Sequence, residues 1–374
     1  MTAPVLFEEL ACRNSRIVAV ATLNVERTLN SLSLEMIDLL SVQLTQWQNE
    51  NQIAAVVIQG AGDRAFCAGG DIQALYRSMV EHPGGPNPYA EAFFEREYRL
   101  DYLIHTYKKP LMVWGHGIVM GGGLGLFGGA SHRVATEKSR IALPEITIGL
   151  FPDAGASVFL NKMPNHLACF MALTGCQINA QDALHIGLAD NLIPHDSQAA
   201  VVSALTEQNW GDNGDDNKTM LSNLLSTFDH PADFPTGQLL AHSQLINELV
   251  SKCDKDNFLA DFESAVDRIS IDDKWLQRAV DTFRSGCPTT AHIIVEQLGR
   301  IADLSLKEIF TLELTIAVQC SRHPDFAEGI RALLIDKDNQ PNWQYPIRGE
   351  VPGHWVTEHF EEVWPSGNPL KDLT

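Results

Sequence analysis

Hydrophobic positions in the first half of the chain form short aliphatic runs, separated by longer stretches of mixed polarity. Several of the runs end in Gly or a polar turn, as the strands of a buried sheet do. They predict strands over 17–24, 54–59, 111–117, 132–136 and 188–194. The stretches 33–49 and 89–107 are predicted helices, and Ser33 is the predicted cap of the first. This alternation of strands and helices indicates α/β layering.

The second half of the chain has a helical hydrophobic pattern almost throughout. A stretch rich in turn formers, 209–218, is predicted to be an exposed loop. After it, helices are predicted over 219–228, 236–253, 257–269, 273–285, 289–302, 305–321 and 325–336. The last residues contain several Pro and Trp and predict an extended tail pinned by aromatic side chains. We therefore divide the chain into a core over 1–195, a helical region over 196–340 and a tail over 341–374.

Composition and charge narrow the classes of partner. The chain has 374 residues, 45% of them hydrophobic, and a formal net charge of −20. Such an acidic protein is a poor ligand for nucleic acid or an anionic membrane, although a local site can still bind an anionic small molecule. No apolar run approaches the roughly 20 residues of a membrane span. The chain has seven cysteines, an odd number, and they are scattered along the sequence. Together with the absence of a signal-like N-terminus, they predict a cytoplasmic protein.

Two glycine-rich stretches are candidates for ligand contact. They are AFCAGGDI over 65–72 and GHGIVMGGGLGLFGG over 115–129, and each follows or contains a predicted strand. Two backbone N–H groups that converge from such turns on one oxygen form an oxyanion hole. Close helix–sheet packing is the alternative explanation of the glycines. Gly123, Gly125 and Gly128 also fit a dinucleotide fingerprint, but that fingerprint must directly follow a strand, and residues 118–122 intervene after the predicted strand.

Two carboxylates lie in the mostly apolar run LPEITIGLFPDAG over 143–155. They are Glu145 and Asp153, and each follows a Pro. Charged side chains avoid such surroundings unless they are paired, solvated or functional. The simple explanation is that each sits at a bend. The sequence has no zinc-binding HExxH motif, and no metal is expected. It also has no serine nucleophile elbow.

The order of the motifs resembles a known family. The stretches TLNVERTLNSLSLEM (22–36), GAGDRAFCAGGDI (60–72), KKPLMVWGHGIVMGGGLGL (108–126), RVATEKSRIALPEITIGLFPDAGAS (133–157) and LTGCQINAQDALHIGLADNLI (173–193) follow one another. Together they resemble the enoyl-CoA hydratase/isomerase (crotonase) superfamily, and within it the 3-hydroxyisobutyryl-CoA hydrolase group. The resemblance implies an α/β fold, with a crotonase-like ββα spiral core and a mostly helical C-terminal region.

The resemblance assigns a binding site for an acyl-CoA thioester. In this family two backbone N–H groups hold the thioester carbonyl, and here they would belong to Gly70 and Gly122. The adenine and pantetheine of CoA would lie along residues 68–72, so that Ala68, Asp71 and Ile72 would contact substrate. For Asp71, a role as a turn or cap residue is the alternative.

The resemblance also assigns the acidic groups. Hydratases of the family carry a Glu three residues after the second oxyanion glycine, and this chain has Gly125 there. Their second catalytic Glu matches Glu145. The hydrolase group adds an Asp eight residues later, which matches Asp153, and a Glu that matches Glu97. A solvated helix residue is the alternative explanation of Glu97.

These assignments imply a thioester hydrolase for a short β-hydroxyacyl-CoA, with 3-hydroxyisobutyryl-CoA from valine degradation as the first choice. Glu145 would attack the carbonyl or activate water, while Asp153 and Glu97 would bind the hydroxyl and carry protons. CoA would be part of the substrate, and no other cofactor is expected. The alternatives are a hydratase or isomerase of the same fold, a non-catalytic acyl-CoA binding protein and a nicotinamide dehydrogenase. A trimer or hexamer is possible, because both are common in the superfamily.

Overall fold

The computed structural model describes residues 3–269 and 272–374. Within them the chain forms two compact units, each built from separate stretches. The sheet unit comprises the described residues up to 70 together with 99–141 and 178–237. The helical unit comprises the described residues of 71–98, 142–177 and 238–374. The boundaries expected near 195 and 340 stay a prediction.

The larger sheet of the sheet unit is mostly parallel. Its strand order is β1-β2-β3-β5-β7-β9, and only β1 runs antiparallel to its neighbour. The central strands are aliphatic and buried along almost their whole length, as expected where both faces of a parallel sheet are covered. These six strands are Val5–Ala11 (β1), Ile17–Leu23 (β2), Ile53–Gly60 (β3), Leu111–Gly115 (β5), His132–Ala135 (β7) and Asn191–Leu192 (β9).

A second sheet is built from three short strands in the order β4-β6-β8. They are Ala65–Cys67 (β4), Ile118–Met120 (β6) and Arg140–Ala142 (β8). Each follows a strand of the larger sheet along the chain and precedes a helix. The strand–strand–helix order therefore occurs three times, at β3-β4, β5-β6 and β7-β8. This repetition confirms the expected ββα core.

Helices make up most of the remaining chain. In the described residues they are Leu34–Asn49 (α1), Ile72–Glu81 (α2), Pro88–His105 (α3), Gly122–Gly129 (α4), Ala156–Leu160 (α5), Asn165–Thr174 (α6), Ala180–His185 (α7), Gln198–Thr206 (α8), Gly214–Ser226 (α9), Gln238–Ala241 (α10), Ser243–Val250 (α11), Phe258–Arg268 (α12), Lys274–Ser285 (α13), Pro288–Arg300 (α14), Leu306–Arg322 (α15), Pro324–Ile330 (α16) and Gly353–Glu358 (α17). A π-helical turn, Arg331–Ile335, continues α16. The C-terminal region is therefore mostly helical, as expected.

The pattern predicted long elements better than short ones. Ser33 caps α1 by accepting a hydrogen bond from the Met36 amide, as predicted. The strand predicted over 111–117 ends at Gly115, because the chain leaves the first sheet there, and a further strand in the second sheet begins at Ile118. The loop predicted over 209–218 was wrong in its second half, since Asn213 caps a helix that begins at Gly214.

Candidate active site

The first glycine-rich stretch leaves strand β4 and runs beside a loop of the sheet unit. The Ala68 amide donates to the Leu29 carbonyl at 3.0 Å, and the Gly69 carbonyl accepts from the Leu32 amide at 2.8 Å. Gly70 forms an isolated β-bridge with Leu32. These main-chain bonds fix the backbone of residues 68–70 without using a side chain.

The second glycine-rich stretch begins helix α4 and packs against the first. Gly121 precedes the helix with φ +51° and ψ −132°, a conformation that a residue with a Cβ rarely adopts. A Cβ on Gly69 would lie 3.7 Å from the Gly122 nitrogen, and a Cβ on Gly123 would overlap the Cys67 carbonyl. The two stretches therefore meet. A Cβ has no room at Gly123, and Gly69 has φ +106°, a conformation that favours glycine.

Gly122 is the first residue of α4, so its N–H points out of the helix without an intrahelical partner. Gly125 is buried inside the same helix and presents no side chain. The glycines of the dinucleotide fingerprint, 123, 125 and 128, lie within α4 rather than in the turn after a strand. Strand β6 does end close by, at Met120, but the phosphate-binding turn that the dehydrogenase alternative needs is occupied by helix.

The residues after Gly70 begin the helical unit. Asp71 caps α2, because its Oδ1 accepts the Ala74 amide at 3.0 Å. Ile72 is the first residue of that helix. The cap explains Asp71 structurally, and its predicted contact with substrate stays a prediction, as do those of Ala68 and Ile72.

The predicted carboxylates form a buried acidic cluster in the helical unit. Glu97 is 2% exposed, Glu145 3% and Asp153 7%. Glu145 begins a 3₁₀ turn, Glu145–Ile148, between strand β8 and helix α5. Its Oε2 and the Oε1 of Glu97 are buried, and neither has a hydrogen-bond partner among the described residues. Buried carboxyl oxygens without partners are costly, which favours a functional explanation over a simple bend.

Asp153 is the member of the cluster with a strong hydrogen bond. Its Oδ2 accepts from the Tyr98 hydroxyl at 2.6 Å, a distance typical of an O–H donor on a carboxylate. Tyr98 is fully buried and follows Glu97 in α3. It was not predicted from the sequence, although its position next to Glu97 is a signal that could have indicated it.

Burial and mutual repulsion raise the pKa values of these groups. Burial, together with the charge of Asp153, raises the pKa of Glu97 and that of Glu145 well above the ordinary value. Burial raises the pKa of Asp153 to about 6, against the lowering effect of the Tyr98 hydrogen bond. Neighbouring carboxyls that resist ionising together can hold and exchange protons, which suits acid–base chemistry.

Glu313 is a further buried carboxyl that the sequence analysis missed. It is 0% exposed and lies on the buried face of α15, among Phe310, Leu314 and Ala317. Burial raises the pKa of Glu313 to about 7 against hydrogen bonds from Ser157 and Gly155 that lower it. A lone carboxylate at an apolar-face position of a helix is the signal that could have found it.

The structure thus groups the predicted residues in two sets. The sheet unit brings the glycine run that contains Ala68 and Gly70 against the run that contains Gly122, and the helical unit brings Glu97, Glu145 and Asp153 together. Within the described ranges, no group of three or more His, Cys, Asp or Glu residues is arranged to hold a metal ion. Among the same residues, no helix combines the length and apolar character needed to cross a bilayer.

Three strand–strand–helix units, two interlocked glycine runs and a separate helical unit define an α/β protein of the crotonase type. The sequence pattern of the family described as Enoyl-CoA hydratase/isomerase matches residues 18–360. The chain belongs to this family.

Similar proteins extend the assignment. A Danio rerio protein named 3-hydroxyisobutyryl-CoA hydrolase, mitochondrial, is 32% identical over 96% of this chain and 90% of its own length. Its Homo sapiens counterpart is 31% identical over 95% of this chain and 89% of its own. The crystal structure of a carnitinyl-CoA dehydratase from Mycobacterium thermoresistibile has a TM-score of 0.83 at 30% identity, over 97% of this chain and 98% of that one. An enoyl-CoA hydratase from Rhodobacter sphaeroides has a TM-score of 0.84 at 28% identity, over 98% and 99%.

Proposed function

We propose that this enzyme hydrolyses the thioester of a short β-hydroxyacyl-CoA, with 3-hydroxyisobutyryl-CoA, an intermediate of valine breakdown, as the first choice. CoA enters as part of the substrate, and the proposal requires no separate cofactor. The N–H groups of Gly70 and Gly122 hold the thioester oxygen, and residues 68–72 lie along the CoA chain.

The observation that carries the proposal is the distribution of carboxyl groups. Hydration of a double bond usually needs two acid–base groups, and the resemblance to family hydratases puts the first of them at position 125. Gly125 has no side chain and is buried in α4. The carboxyls that the resemblance assigns to the site, Glu97, Glu145 and Asp153, are instead buried in the helical unit. The chain therefore lacks the first hydratase carboxylate, at position 125, and keeps the second, Glu145. This combination favours hydrolysis over hydration.

The relatives support the same choice of reaction. Proteins named 3-hydroxyisobutyryl-CoA hydrolase align with more than nine-tenths of this chain, so the likeness includes both units. The solved structures named for hydration or dehydration share the fold, and a fold by itself does not fix the reaction.

These groups can catalyse thioester hydrolysis by either of two routes. In one route Glu145 takes a proton from water as the water oxygen bonds to the carbonyl carbon; in the other its carboxylate attacks that carbon and forms an anhydride, which water then cleaves. In both routes the oxyanion accepts hydrogen bonds from the two glycine amides. The carbon–sulfur bond breaks as the carbonyl re-forms, and the CoA sulfur leaves and receives a proton.

Asp153 and Glu97 supply recognition of the β-hydroxyl group. A carboxylate accepts a hydrogen bond from a hydroxyl, and a protonated carboxyl can also donate one. Because the pKa values of both groups are raised, a proton can be shared between them and the substrate hydroxyl. A substrate without that hydroxyl would leave buried polar atoms unpaired, which would disfavour it.

The decisive assay measures the release of CoA thiol from 3-hydroxyisobutyryl-CoA with a thiol reagent. Glu145→Gln is expected to lower kcat by about 10²- to 10⁴-fold, the usual contribution of a positioned acid–base group. Glu296→Gln is a matched control, because Glu296 is an exposed carboxylate that pairs with Arg300 on the surface of α14. Its turnover is expected to equal that of the wild type.

Three results would contradict the proposal. Near-normal turnover of Glu145→Gln would remove that residue from the mechanism. Loss of the enone absorbance of crotonyl-CoA without thiol release would identify a hydratase. Binding of acyl-CoA esters without any turnover would identify a binding protein.

A further inference from the structure

Asp153 lies on a turn whose backbone is unusual. The next two residues, Ala154 and Gly155, both have left-handed φ values, +54° and +81°. A left-handed alanine is disfavoured because its Cβ crowds the backbone, so such a turn persists only where its surroundings hold it. Helix α5, which follows, is short, and the residue in its N-cap position, Gly155, has no side chain to cap it.

Two side chains from distant helices hold this turn. The Glu313 Oε2 accepts the Gly155 amide at 2.7 Å, and its Oε1 accepts the Ser157 amide at 3.0 Å. The Ser157 hydroxyl also hydrogen-bonds to the Glu313 carboxylate. Gln297 donates from Nε2 to the Pro152 carbonyl at 2.8 Å and to the Ser157 Oγ at 2.9 Å.

The turn is therefore fixed on both sides of Asp153. Gln297 holds the residue before it, Glu313 holds the amides after it, and Tyr98 holds its carboxylate. The side chains that make these bonds are fully buried, so water does not readily replace the bonds; they are Ser157, Gln297 and Glu313, each 0% exposed. A neutral amide at position 313 could accept only one of the two N–H groups well, because its other end is a donor.

We propose that Glu313 is a positioning residue for Asp153, which sets the place of that carboxylate, and its hydrogen bond to Tyr98, through the turn 152–157. This inference rests on the proposed function, in which Asp153 contacts substrate. Glu313 itself contacts the turn rather than the substrate. The role differs from a purely structural one because it acts on the ionisation of Asp153 as well as on its position.

Asp153 lies among other titratable groups. Those that interact electrostatically with it include Glu97 and Tyr98 from α3, Glu145 from the 3₁₀ turn, and Glu313 and Cys320 from α15. Asp153 ionises at a lower pH than Glu313, because the pKa of Asp153 is raised to about 6 and that of Glu313 to about 7. Glu313 therefore acts on the pKa of Asp153 through the position of the turn: displacing Asp153 from the Tyr98 hydroxyl removes a hydrogen bond that lowers this pKa, and so raises it.

The test uses Glu313→Gln in the full chain, with Ser321→Ala as the matched control. Ser321 is a buried polar residue of the same helix, whose hydroxyl bonds to the Val318 carbonyl and not to the turn. We expect Glu313→Gln to lower kcat by about 10- to 100-fold and to raise KM, because the displaced Asp153 both carries protons and binds the substrate hydroxyl in the proposed function. The acid limb of its pH profile for kcat/KM is expected to move to higher pH, because a displaced Asp153 loses the Tyr98 hydrogen bond that lowers its pKa. Ser321→Ala should change none of these.

A second measurement does not depend on activity. Amide hydrogen exchange of the peptide that covers 152–160 is expected to accelerate in Glu313→Gln and to stay unchanged in Ser321→Ala. If Glu313→Gln does not fold, Ser157→Ala replaces it, because that change removes only the hydroxyl and keeps both amide bonds to Glu313. A smaller loss of kcat and a faster exchange are then expected.

The outcomes separate this inference from the proposed function. If the wild type releases thiol and the folded variant keeps its kcat, pH profile and exchange, the inference is overturned and the function stands. If the wild type hydrolyses no acyl-CoA ester, the proposed function fails; exchange then decides, and unchanged protection of 152–160 in the variant overturns the positioning role as well.

Discussion

Replacing Asp153 with Asn is expected to stabilise the protein at pH 8 while impairing turnover. The Asp153 carboxyl is 7% exposed, and burial raises its pKa to about 6 from an ordinary 3.8. Ionising it in the folded state therefore costs about 3 kcal/mol relative to the unfolded chain. Asn carries no charge but can still accept the Tyr98 hydrogen bond through Oδ1. The pKa of about 6 already includes the effect of that hydrogen bond, so the gain in the free energy of unfolding at pH 8 is about 3 kcal/mol.

The sign of the pH dependence follows from the direction of the shift. The pKa of Asp153 is higher in the folded state than in the unfolded state, so the protonated folded form is favoured. Its contribution to stability is complete below about pH 4 and is lost as the pH rises to about 6. The advantage of Asp153→Asn over the wild type should therefore be near zero around pH 4 and reach its full value by pH 8.

Urea unfolding followed by tryptophan fluorescence, repeated from pH 4.5 to 8.5, measures this difference. Glu308→Gln is a control of opposite sign. Glu308 is an exposed carboxylate in the capping box of α15, and its hydrogen bonds to Ser305 lower its pKa. That variant should lose stability at pH 8. A lower unfolding free energy for Asp153→Asn at pH 8, or a difference that does not vary with pH, would refute the reasoning.

Two further changes test the acidic cluster and its packing. Tyr98→Phe removes a hydrogen bond that lowers the pKa of Asp153, so the acid limb of kcat/KM should move up by about 1 pH unit; an unmoved limb in the folded variant would contradict this. Gly329→Ala would put a Cβ 2.5 Å from the Ile148 Cα, so it should lower the free energy of unfolding by about 1–3 kcal/mol. In Gly299→Ala the new Cβ would have no heavy atom within 4 Å, so this change inside a helix should raise the free energy of unfolding by up to about 1 kcal/mol. Urea unfolding of the pair checks this, and equal effects would refute the contact.

The fold could be predicted where elements are long enough to show a period. Helices of the C-terminal half were placed within a few residues, because an apolar stripe repeats several times in each. The strands Ala65–Cys67 and Ile118–Met120 were not predicted, since three residues carry no periodicity. The strand predicted over 188–194 is reduced to Asn191–Leu192, because an aliphatic run does not reveal how much of it pairs.

The candidate site could be predicted only in part for a similar reason. Glu97, Glu145 and Asp153 were identified through family resemblance, and burial in one cluster supports their selection. Tyr98 and Glu313 were missed, because their importance lies in contacts with residues far along the chain. No local pattern encodes which residue of α15 meets a turn near position 155.

The hydrogen bonds between Glu313 and the turn 152–157 have a consequence for how the enzyme is made. The turn 152–157 is synthesised early, but the carboxylate that holds its amides is at position 313 of 374. A nascent chain on the ribosome therefore carries Asp153 long before it carries the side chain that orients it. Any chain that stops before α15 keeps the whole ββα core yet lacks this support, so a premature stop codon there should leave a protein without full activity.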